Sequence, residues 1–258
     1  MEHRDINKDI NSVRAIVRRA FSLREDKADN DEIRDRLLSG GKVTGTNLSV
    51  MICAMIIASV GLNTGSTAVI IGAMLISPIM GSILAVGYGT ASVDVDIVKK
   101  HLIGFAFQII LSVAASTIYF LLSPIKEPTS ELLARTQPSF FDVIIATAGG
   151  FAGIIGQTRK DKANNIIPGV AIATALMPPL CTCGYSIANG NWRMLGGASY
   201  LFIVNAYFIF LSSTVILSIF GIPKAREMTE EQWIRLRARM VRNTILTLLP
   251  GILYVFVQ

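Results

Sequence analysis

The chain has 258 residues, of which 52% are hydrophobic and only 16% are charged. Charged residues crowd into residues 1–42 and 224–242, whereas the middle of the chain holds several apolar runs of at least 17 residues. A run of that length crosses the ~30 Å of hydrocarbon in a bilayer. This distribution excludes an ordinary soluble domain and indicates an all-α polytopic membrane protein. The net charge of +6 is carried beside membrane segments, so topology signals and anionic lipid explain it better than nucleic acid.

The N-terminal segment is predicted to form a basic amphipathic helix. Apolar residues recur at helical spacing from Ile6 to Phe21, with arginines around them. Two interpretations stay open, a helix bound to a membrane face or a partner, and a solvated cytoplasmic helix. A second short helix is predicted over Asp31–Ser39, with Asp29 as its cap and a glycine pair at 40–41 as its end.

Seven membrane spans are predicted from the apolar runs. They cover Asn47–Leu62, Ser66–Ala91, Leu102–Leu122, Phe140–Gly156, Ala163–Ala188, Gly196–Phe220 and Met240–Val257. The last contains Pro250 and Gly251, so a half-inserted helix is an alternative there. Thr229–Arg242, just before it, is predicted to be an interfacial helix that binds anionic headgroups. The predicted organisation is a cytoplasmic segment at 1–45, a transmembrane domain at 46–222, and an interfacial helix with a C-terminal membrane helix at 223–258.

The lysines and arginines predict the orientation of the chain. If the N-terminus is inside, only three of the 24 basic residues lie in outer loops, namely Lys126, Arg135 and Arg193. Cytoplasmic loops carry the excess of lysine and arginine in membrane proteins. We therefore expect a multi-pass protein of the bacterial inner or plasma membrane with a cytoplasmic N-terminus.

Two predicted spans carry proline near their centres, at Pro78 in the second and at Pro178 and Pro179 in the fifth. Proline lacks a backbone donor, and lipid offers the freed carbonyl no water. Both helices are therefore predicted to be broken, with Ser77 capping a new helical segment. The alternative is a packing kink in each helix, with the freed groups satisfied by neighbouring hydroxyls.

An internal repeat relates these two spans. A shift of 100 residues places Pro78 on Pro178. A shift of 97 residues aligns Gly87-Tyr88 with Gly184-Tyr185, Phe105 with Phe202, Gln108 with Asn205, and Ser116-Thr117 with Ser213-Thr214. The second and fifth spans are three crossings apart, so the halves 46–122 and 139–221 would be inverted. Inverted repeats with paired broken helices are typical of transporters whose site lies near the bilayer midplane.

The candidate path for an ion or substrate is the place where the two predicted breaks meet. Its residues would be Ser77, Pro78, Gly81, Ser82, Thr174, Pro178, Pro179 and Thr182, flanked by Gln108 and Asn205. Secondary candidates are Asn63, Asp142 and Asn164, although Asp142 also suits a helix-start carboxylate. We predict no metal, no cofactor and no enzyme activity, because the chain has only two histidines and no deep carboxylate chain.

Two proline-containing stretches carry a family resemblance. At Ile71–Gly81 (IGAMLISPIMG) and Gly169–Gly184 (GVAIATALMPPLCTCG), the chain resembles a bacterial family of uncharacterised hydrophobic membrane proteins, catalogued as a domain of unknown function. The resemblance covers the region from Val50 to Gly221 and implies a membrane architecture, but no substrate, cofactor or catalytic residue. Ser82 stands where the first motif of the family is expected to have a second proline, which predicts a milder break.

Two functions are therefore open. The first is a transporter or channel for an ion or small solute, with one midplane site between the two breaks. The second is a non-transporting membrane scaffold or sensor that works through its basic helices, and straight packing at both breaks would favour it. We also expect a homo-oligomer, because glycine-rich spans without large soluble domains need partners to cover their small-residue faces.

Overall fold

The computed structural model describes residues 26–160, 166–226 and 229–257, and the predicted all-α class is confirmed over them. The helices of these residues are α1 (Asn30–Gly40), α2 (Gly45–Thr64), α3 (Thr67–Ile76), α4 (Ile79–Ala91), α5 (Val95–Leu122), α6 (Ser130–Ala134), α7 (Phe140–Gln157), α8 (Ile166–Ala188), α9 (Trp192–Ile219) and α10 (Glu230–Val257). The predicted helix between Ile6 and Phe21 lies outside the described residues.

Several described helices match the predicted spans. Four of them, α2, α5, α7 and α9, are long and apolar enough to cross a membrane. The pair formed by α3 and α4 passes the same test with a bend of 51° between its parts, which gives up to five candidate spans among the described residues. For α8 and α10, the fifth and seventh predicted spans, crossing stays a prediction.

The second predicted span is broken at Pro78, as expected. Ser77 is extended, with φ −74° and ψ 125°, and ends α3, while Pro78 is the N-cap of α4. Proline disfavours the helical region for the residue before it, which explains why the break falls at Ser77. The predicted capping role of Ser77 is wrong, because its buried Oγ has no hydrogen-bond partner.

The predicted break at Pro178 and Pro179 is wrong, because α8 continues through both prolines. Pro179 has no N–H for the Ala175 carbonyl four residues earlier. Asn205 of α9 supplies that donor instead, with its Nδ2 at 2.8 Å from the Ala175 oxygen. The helix is also held on many sides, since α8 packs against α2, α3, α4, α5, α7 and α9. It is therefore the central helix of the described fold.

The C-terminal region also differs from its prediction. The expected interfacial helix and last span are a single helix, α10, over Glu230–Val257. The Thr229 N–H donates to Gln232 Oε1 at 3.2 Å, which confirms part of the predicted capping box. Two α9 tyrosines hold α10 through its carbonyls, since the Tyr200 hydroxyl donates to Thr247 O and the Tyr207 hydroxyl to Met240 O.

The short helix α1 confirms the prediction over Asp31–Ser39, although Asp29 makes no side-chain cap bond. Its apolar face is buried through Ile33 and Leu37. Its C-terminal end packs so closely on α4 that a Cβ added to Gly81 would overlap the Gly40 carbonyl. The tip of a charged helix therefore rests on the first turn of α4, directly after the Pro78 break.

The halves of the bundle contact each other through corresponding positions. A Cβ on Gly87 of α4 would lie 3.1 Å from Ser213 Cβ of α9, and a Cβ on Gly184 of α8 would lie 2.6 Å from Ser116 Cβ of α5. Phe105 of α5 stacks on Phe202 of α9, with ring centroids 6.1 Å apart. Each contact thus joins residues that the 97-residue shift relates or exchanges.

Candidate functional site

Two cavities are associated with opposite ends of α7. The first, of about 270 Å³, is called the Asp142 cavity and is lined by Thr67, Ile70, Ile71, Met74, Glu131, Arg135, Asp142, Ile145, Ala175, Pro179, Leu201 and Asn205. The second, of about 370 Å³, is called the Gln157 cavity and is lined by Arg36, Leu37, Ser39, Gly40, Asn47, Ser77, Pro78, Met80, Gly81, Leu84 and Gln157. Asp142 and Gln157 are 15 positions apart in α7, about 22 Å at helical rise.

The lining residues of the two cavities come close together along the chain at the end of α3. Met74 lines the Asp142 cavity, and Ser77, which ends α3, lines the Gln157 cavity. Three residues of helix rise by about 4.5 Å, which is less than one turn. The break at Pro78 therefore lies next to residues that line each of the two cavities.

The mouth of the Asp142 cavity is charged. Arg135 approaches Glu131 Oε2 at 3.5 Å, and Thr67 donates its hydroxyl to Glu131 Oε1 at 2.9 Å. Asp142 accepts from both the N–H and the hydroxyl of Ser139, so it is the N3 residue of a capping box for α7. The alternative helix-start role predicted for Asp142 is thereby confirmed. Both carboxylates at this mouth are engaged, whereas the buried Nε of Arg135 has no hydrogen-bond partner.

Asn205 provides a polar group at the deep end of the same cavity. The residue is 3% exposed and donates its Nδ2 to Ala175 O. A carbonyl can only accept, so this bond fixes the amide orientation; it uses one of the two N–H groups of Nδ2 and leaves Oδ1 as the acceptor of the side chain. That Oδ1 is buried and has no hydrogen-bond partner. Two atoms of the lining residues, Asn205 Oδ1 and Arg135 Nε, are thus buried without a hydrogen-bond partner, and most of the other lining residues are apolar.

The Gln157 cavity contains the other part of the predicted site. Ser77, Pro78 and Gly81 line it from the broken helix, and the end of α1 closes another side. Arg36 of α1 donates to Gln157 O and Arg159 O, which ties α1 to the end of α7. The docking of α1 therefore sets how wide this cavity is.

Gln108 and Ser82 contact each other, but neither residue lines one of the two cavities. Ser82 Oγ lies 2.8 Å from Gln108 Oε1 and 3.4 Å from the Gly41 carbonyl oxygen. Both side chains are buried, and Gln108 Nε2 has no hydrogen-bond partner. Asn205 bonds to α8 and lines the Asp142 cavity, whereas Gln108 lines neither cavity, so a common site for the two matched amides stays a prediction.

The remaining predicted site residues have structural roles or lie outside the description. Asn63 Nδ2 donates to Ser123 Oγ at 2.6 Å, which joins α2 to the end of α5. Thr182 donates its hydroxyl to Pro178 O within α8. Asn164 and the side chain of Thr174 lie outside the described part of the chain. Within that part, no group of three or more His, Cys, Asp or Glu side chains is arranged to hold a metal.

Sequence reasoning missed four of the polar lining residues, namely Arg36, Glu131, Arg135 and Gln157. For two of them a signal existed, because Glu131 and Arg135 have i, i+4 spacing in a short capped helix inside a loop. That pattern predicts an ordered loop rather than a passive connection. Arg36 and Gln157 meet only through tertiary packing, which no local spacing indicates.

Comparisons with known proteins give a family but no activity. Residues 74–211 match the family described as a domain of unknown function (DUF389). An uncharacterised protein of Methanocaldococcus jannaschii is 29% identical over 186 residues, which is 72% of this chain. The aligned region spans 58% of the length of that archaeal protein. No solved structure matches.

Proposed function

We propose that this chain, which belongs to the DUF389 family, moves an ion or small solute across a membrane. The proposed path enters one of the two cavities, passes the break between α3 and α4, and leaves through the other cavity. This path replaces the single shared site expected between two broken helices, because α8 is continuous. The break itself stays central to the proposal.

The observation that carries the proposal is the position of the break, which is next to residues that line each cavity. Met74 and Ser77 line different cavities although they lie in consecutive turns of one chain segment. A small change in the 51° bend would shift the lining of one cavity relative to that of the other, and discontinuous helices form the substrate sites of many secondary transporters. A continuous second span would separate the cavities by a rigid helix, and it would not support this function.

The reciprocal contacts between the halves support a three-plus-three inverted repeat. Gly87 meets Ser213 just as Gly184 meets Ser116, and Phe105 stacks on Phe202. A pseudo-two-fold axis between the halves accounts for these pairings, since it exchanges each residue with its partner 97 positions away. Inverted repeats are a common basis for alternating access in secondary transporters.

The surroundings that we propose follow from the same apolar helices. The chain would lie in a bacterial inner or plasma membrane as a homo-oligomer, with its N-terminus in the cytoplasm and with anionic headgroups at its basic helices. We propose no catalytic activity for it.

A thiol-blocking experiment in liposomes tests the proposed function. Purified protein is reconstituted, and flux is measured over a panel of ions and small metabolites. Met74→Cys places a thiol in the Asp142 cavity, whereas Leu75→Cys places one on the neighbouring position, which is 51% exposed on the apolar exterior. A small thiol reagent should abolish flux through the first variant and spare the second, because only the first narrows the proposed path.

The parent chain, which keeps Cys53, Cys181 and Cys183, is the reference for modification at native thiols. Modification after folding avoids the objection that a bulky residue at Met74 prevents assembly. If the thiol reagent leaves flux unchanged in both variants, the proposed path is contradicted. Absence of flux for every solute would favour the scaffold or sensor hypothesis instead.

A further inference from the structure

We infer that α1 is a gate, a strap that closes the Gln157 cavity in this structure and leaves the start of α4 when the path opens. This inference rests on the proposed function and names the element that controls it. It is carried by the contacts that α1 makes at both of its ends, one of which packs beside the break at Pro78.

α1 lies between the Gln157 cavity and water. Asp31, Arg34 and Asp35 on this helix are exposed, and they line a charged groove between α1 and the start of α5. Exposed charges of this kind do not lie in hydrocarbon, so this face of α1 borders an aqueous compartment. Four other residues of the same helix line the cavity, namely Arg36, Leu37, Ser39 and Gly40. α1 therefore covers the cavity from its aqueous side.

The C-terminal end of α1 is held by bonds that its neighbours can give up. The carbonyl oxygen of Gly41, directly after α1, accepts from His101 Nδ1 at 3.1 Å and from Ser82 Oγ at 3.4 Å. Ser82 Oγ lies closer to Gln108 Oε1, at 2.8 Å, and a hydroxyl has only one hydrogen to donate. Ser82 therefore keeps a hydrogen-bond partner when α1 leaves.

Arg36 links the middle of α1 to the end of α7. Its Nη1 donates to Gln157 O at 3.4 Å and to Arg159 O, and its Nη2 donates to Glu32 of the same helix. Carbonyls at the C-terminal end of a helix favour a basic side chain. When α1 leaves, these carbonyls face the aqueous side and bond to water, so the release exchanges one set of hydrogen bonds for another.

The residues before α1 form a second anchor. Lys27 lies opposite Arg159 in an antiparallel bridge, which two flanking backbone hydrogen bonds of 2.8 and 3.0 Å hold together. At its other end, α1 is followed by a short connection into α2. α1 is thus a strap that is fixed to the end of α7 on one side and to α2 on the other.

The same strap is coupled to the break in the second span. The Gly40 carbonyl packs on Gly81, and a Cβ on Gly41 would lie 2.8 Å from Ala85 Cβ. The end of α1 therefore fills the space beside the first two turns of α4, directly after Pro78. Contacts this close leave no room for α4 to move relative to α1. The bend between α3 and α4 can therefore change only when α1 leaves.

A reversible cross-link tests whether the strap must move. In a chain without native cysteines, Lys27→Cys with Arg159→Cys suits a disulfide, because opposite residues of an antiparallel bridge that do not exchange hydrogen bonds have Cα atoms about 4.5 Å apart. The chain is reconstituted in liposomes and assayed with the solute that the parent chain carries. Oxidation should abolish flux and reductant should restore it, because both anchors of α1 are then fixed covalently. The oxidised chain without cysteines should keep its flux.

Thiol labelling of the purified chain tests the release of α1 without a transport assay. Ser77→Cys places a thiol in the Gln157 cavity, and its rate of modification by a small soluble reagent reports how often that cavity opens. Arg36→Gln removes the bonds to the carbonyls at the end of α7 and should raise this rate by about tenfold, with partial recovery in Arg36→Lys. Arg34→Gln is the matched control, since it removes an equal charge from an exposed position of α1, and it should leave the rate unchanged.

The outcomes separate the gate from the proposed function. Equal flux in the oxidised and reduced forms would overturn the gate and leave transport standing. A labelling rate at Ser77→Cys that does not respond to Arg36→Gln would also overturn it. So would an equal rise at Met74→Cys in the Asp142 cavity, because Arg36 would then stabilise the whole fold. If no solute is carried but Arg36→Gln speeds labelling at Ser77→Cys alone, transport fails and α1 stands as the closure of the Gln157 cavity.

Discussion

At the scale of single residues, Asn205 compensates for a proline. Pro179 cannot donate to Ala175 O, and Asn205 Nδ2 does so from another helix at 2.8 Å. An unpaired buried carbonyl costs about 1–3 kcal/mol, and more in lipid-facing surroundings. This one bond therefore helps α8 to remain helical where its sequence predicts a break.

The compensation predicts a specific double-mutant cycle. Asn205→Leu alone should destabilise the fold by about 1–3 kcal/mol, because it leaves Ala175 O unpaired. In a Pro179→Ala background the same substitution should cost about 1–2 kcal/mol less, since the new backbone N–H takes the carbonyl. Unfolding by detergent or heat measures all four chains. Pro178→Ala is the control background, because Pro178 opposes a different carbonyl, and equal costs in all backgrounds would contradict the pairing.

The same residues show what could be predicted from the sequence. The break at Pro78 depends on the adjacent Ser77, so local chemistry was sufficient to predict it. The continuity of α8 depends on Asn205, which lies 30 residues away from Ala175 in the chain. A donor so far away in the chain is positioned by tertiary packing, which the local sequence does not indicate. The two proline motifs therefore predict the same break from sequence, although only the one at Pro78 is broken in the structure.

At the scale of elements, the docking of α1 against α4 decides the shape of the Gln157 cavity. Gly81 permits the contact, since a Cβ there would overlap the Gly40 carbonyl. The glycine pair at 40–41 was predicted as the end of α1, which is confirmed. Its close approach to α4 was not predicted, because the sequence at the end of a helix does not indicate which other element that end will contact.

Gly81→Ala should undock the end of α1. We expect a loss of about 1–3 kcal/mol from overpacking, and faster trypsin cleavage at the exposed Arg34. The matched control is Gly72→Ala in α3, where a Cβ would meet nothing within 4 Å. That substitution should be neutral or stabilise by about 0.5–1 kcal/mol, because alanine favours helix over glycine. Equal stability and equal cleavage in the two variants would contradict the docking.

At the scale of the whole molecule, the cross-contacts between the halves form two matched pairs. Gly87 with Ser213 and Gly184 with Ser116 are exchanged by the 97-residue shift. The shift could be read from the sequence, but the contacts between the halves could not. A sequence repeat shows which residues correspond in the two halves, but it does not show how the halves pack against each other. Gln108 and Asn205, which are related by the same shift, differ in this respect, because Asn205 lines the Asp142 cavity and Gln108 lines neither cavity.

Cysteine pairs test the equivalence of the halves. In a chain without native cysteines, Gly87→Cys with Ser213→Cys and Gly184→Cys with Ser116→Cys should both form disulfides, since Cβ separations of 3.1 and 2.6 Å can relax to the ~3.8 Å of a disulfide. Mass spectrometry after mild oxidation detects the bond. Gly72→Cys with Ser213→Cys should not react, because no atom lies within 4 Å of a Gly72 Cβ. Oxidation of only one matched pair would contradict a symmetric arrangement.

The orientation of the molecule gives the last prediction, and it rests on the two ends of α7. Ser130 and Lys160 are both exposed, and α7 lies between them in the chain, 18 residues long and apolar enough to span a bilayer. The unequal division of lysine and arginine places the Ser130 end outside. In a chain without native cysteines, Ser130→Cys should therefore react with an impermeant maleimide on intact cells, and Lys160→Cys only in inverted vesicles. A reversed pattern would mean that the protein has the opposite orientation in the membrane, and it would leave the two-cavity path intact. Labelling of both positions from one side would instead mean that α7 does not cross, and the Asp142 and Gln157 cavities would then face the same compartment, which no transport path allows.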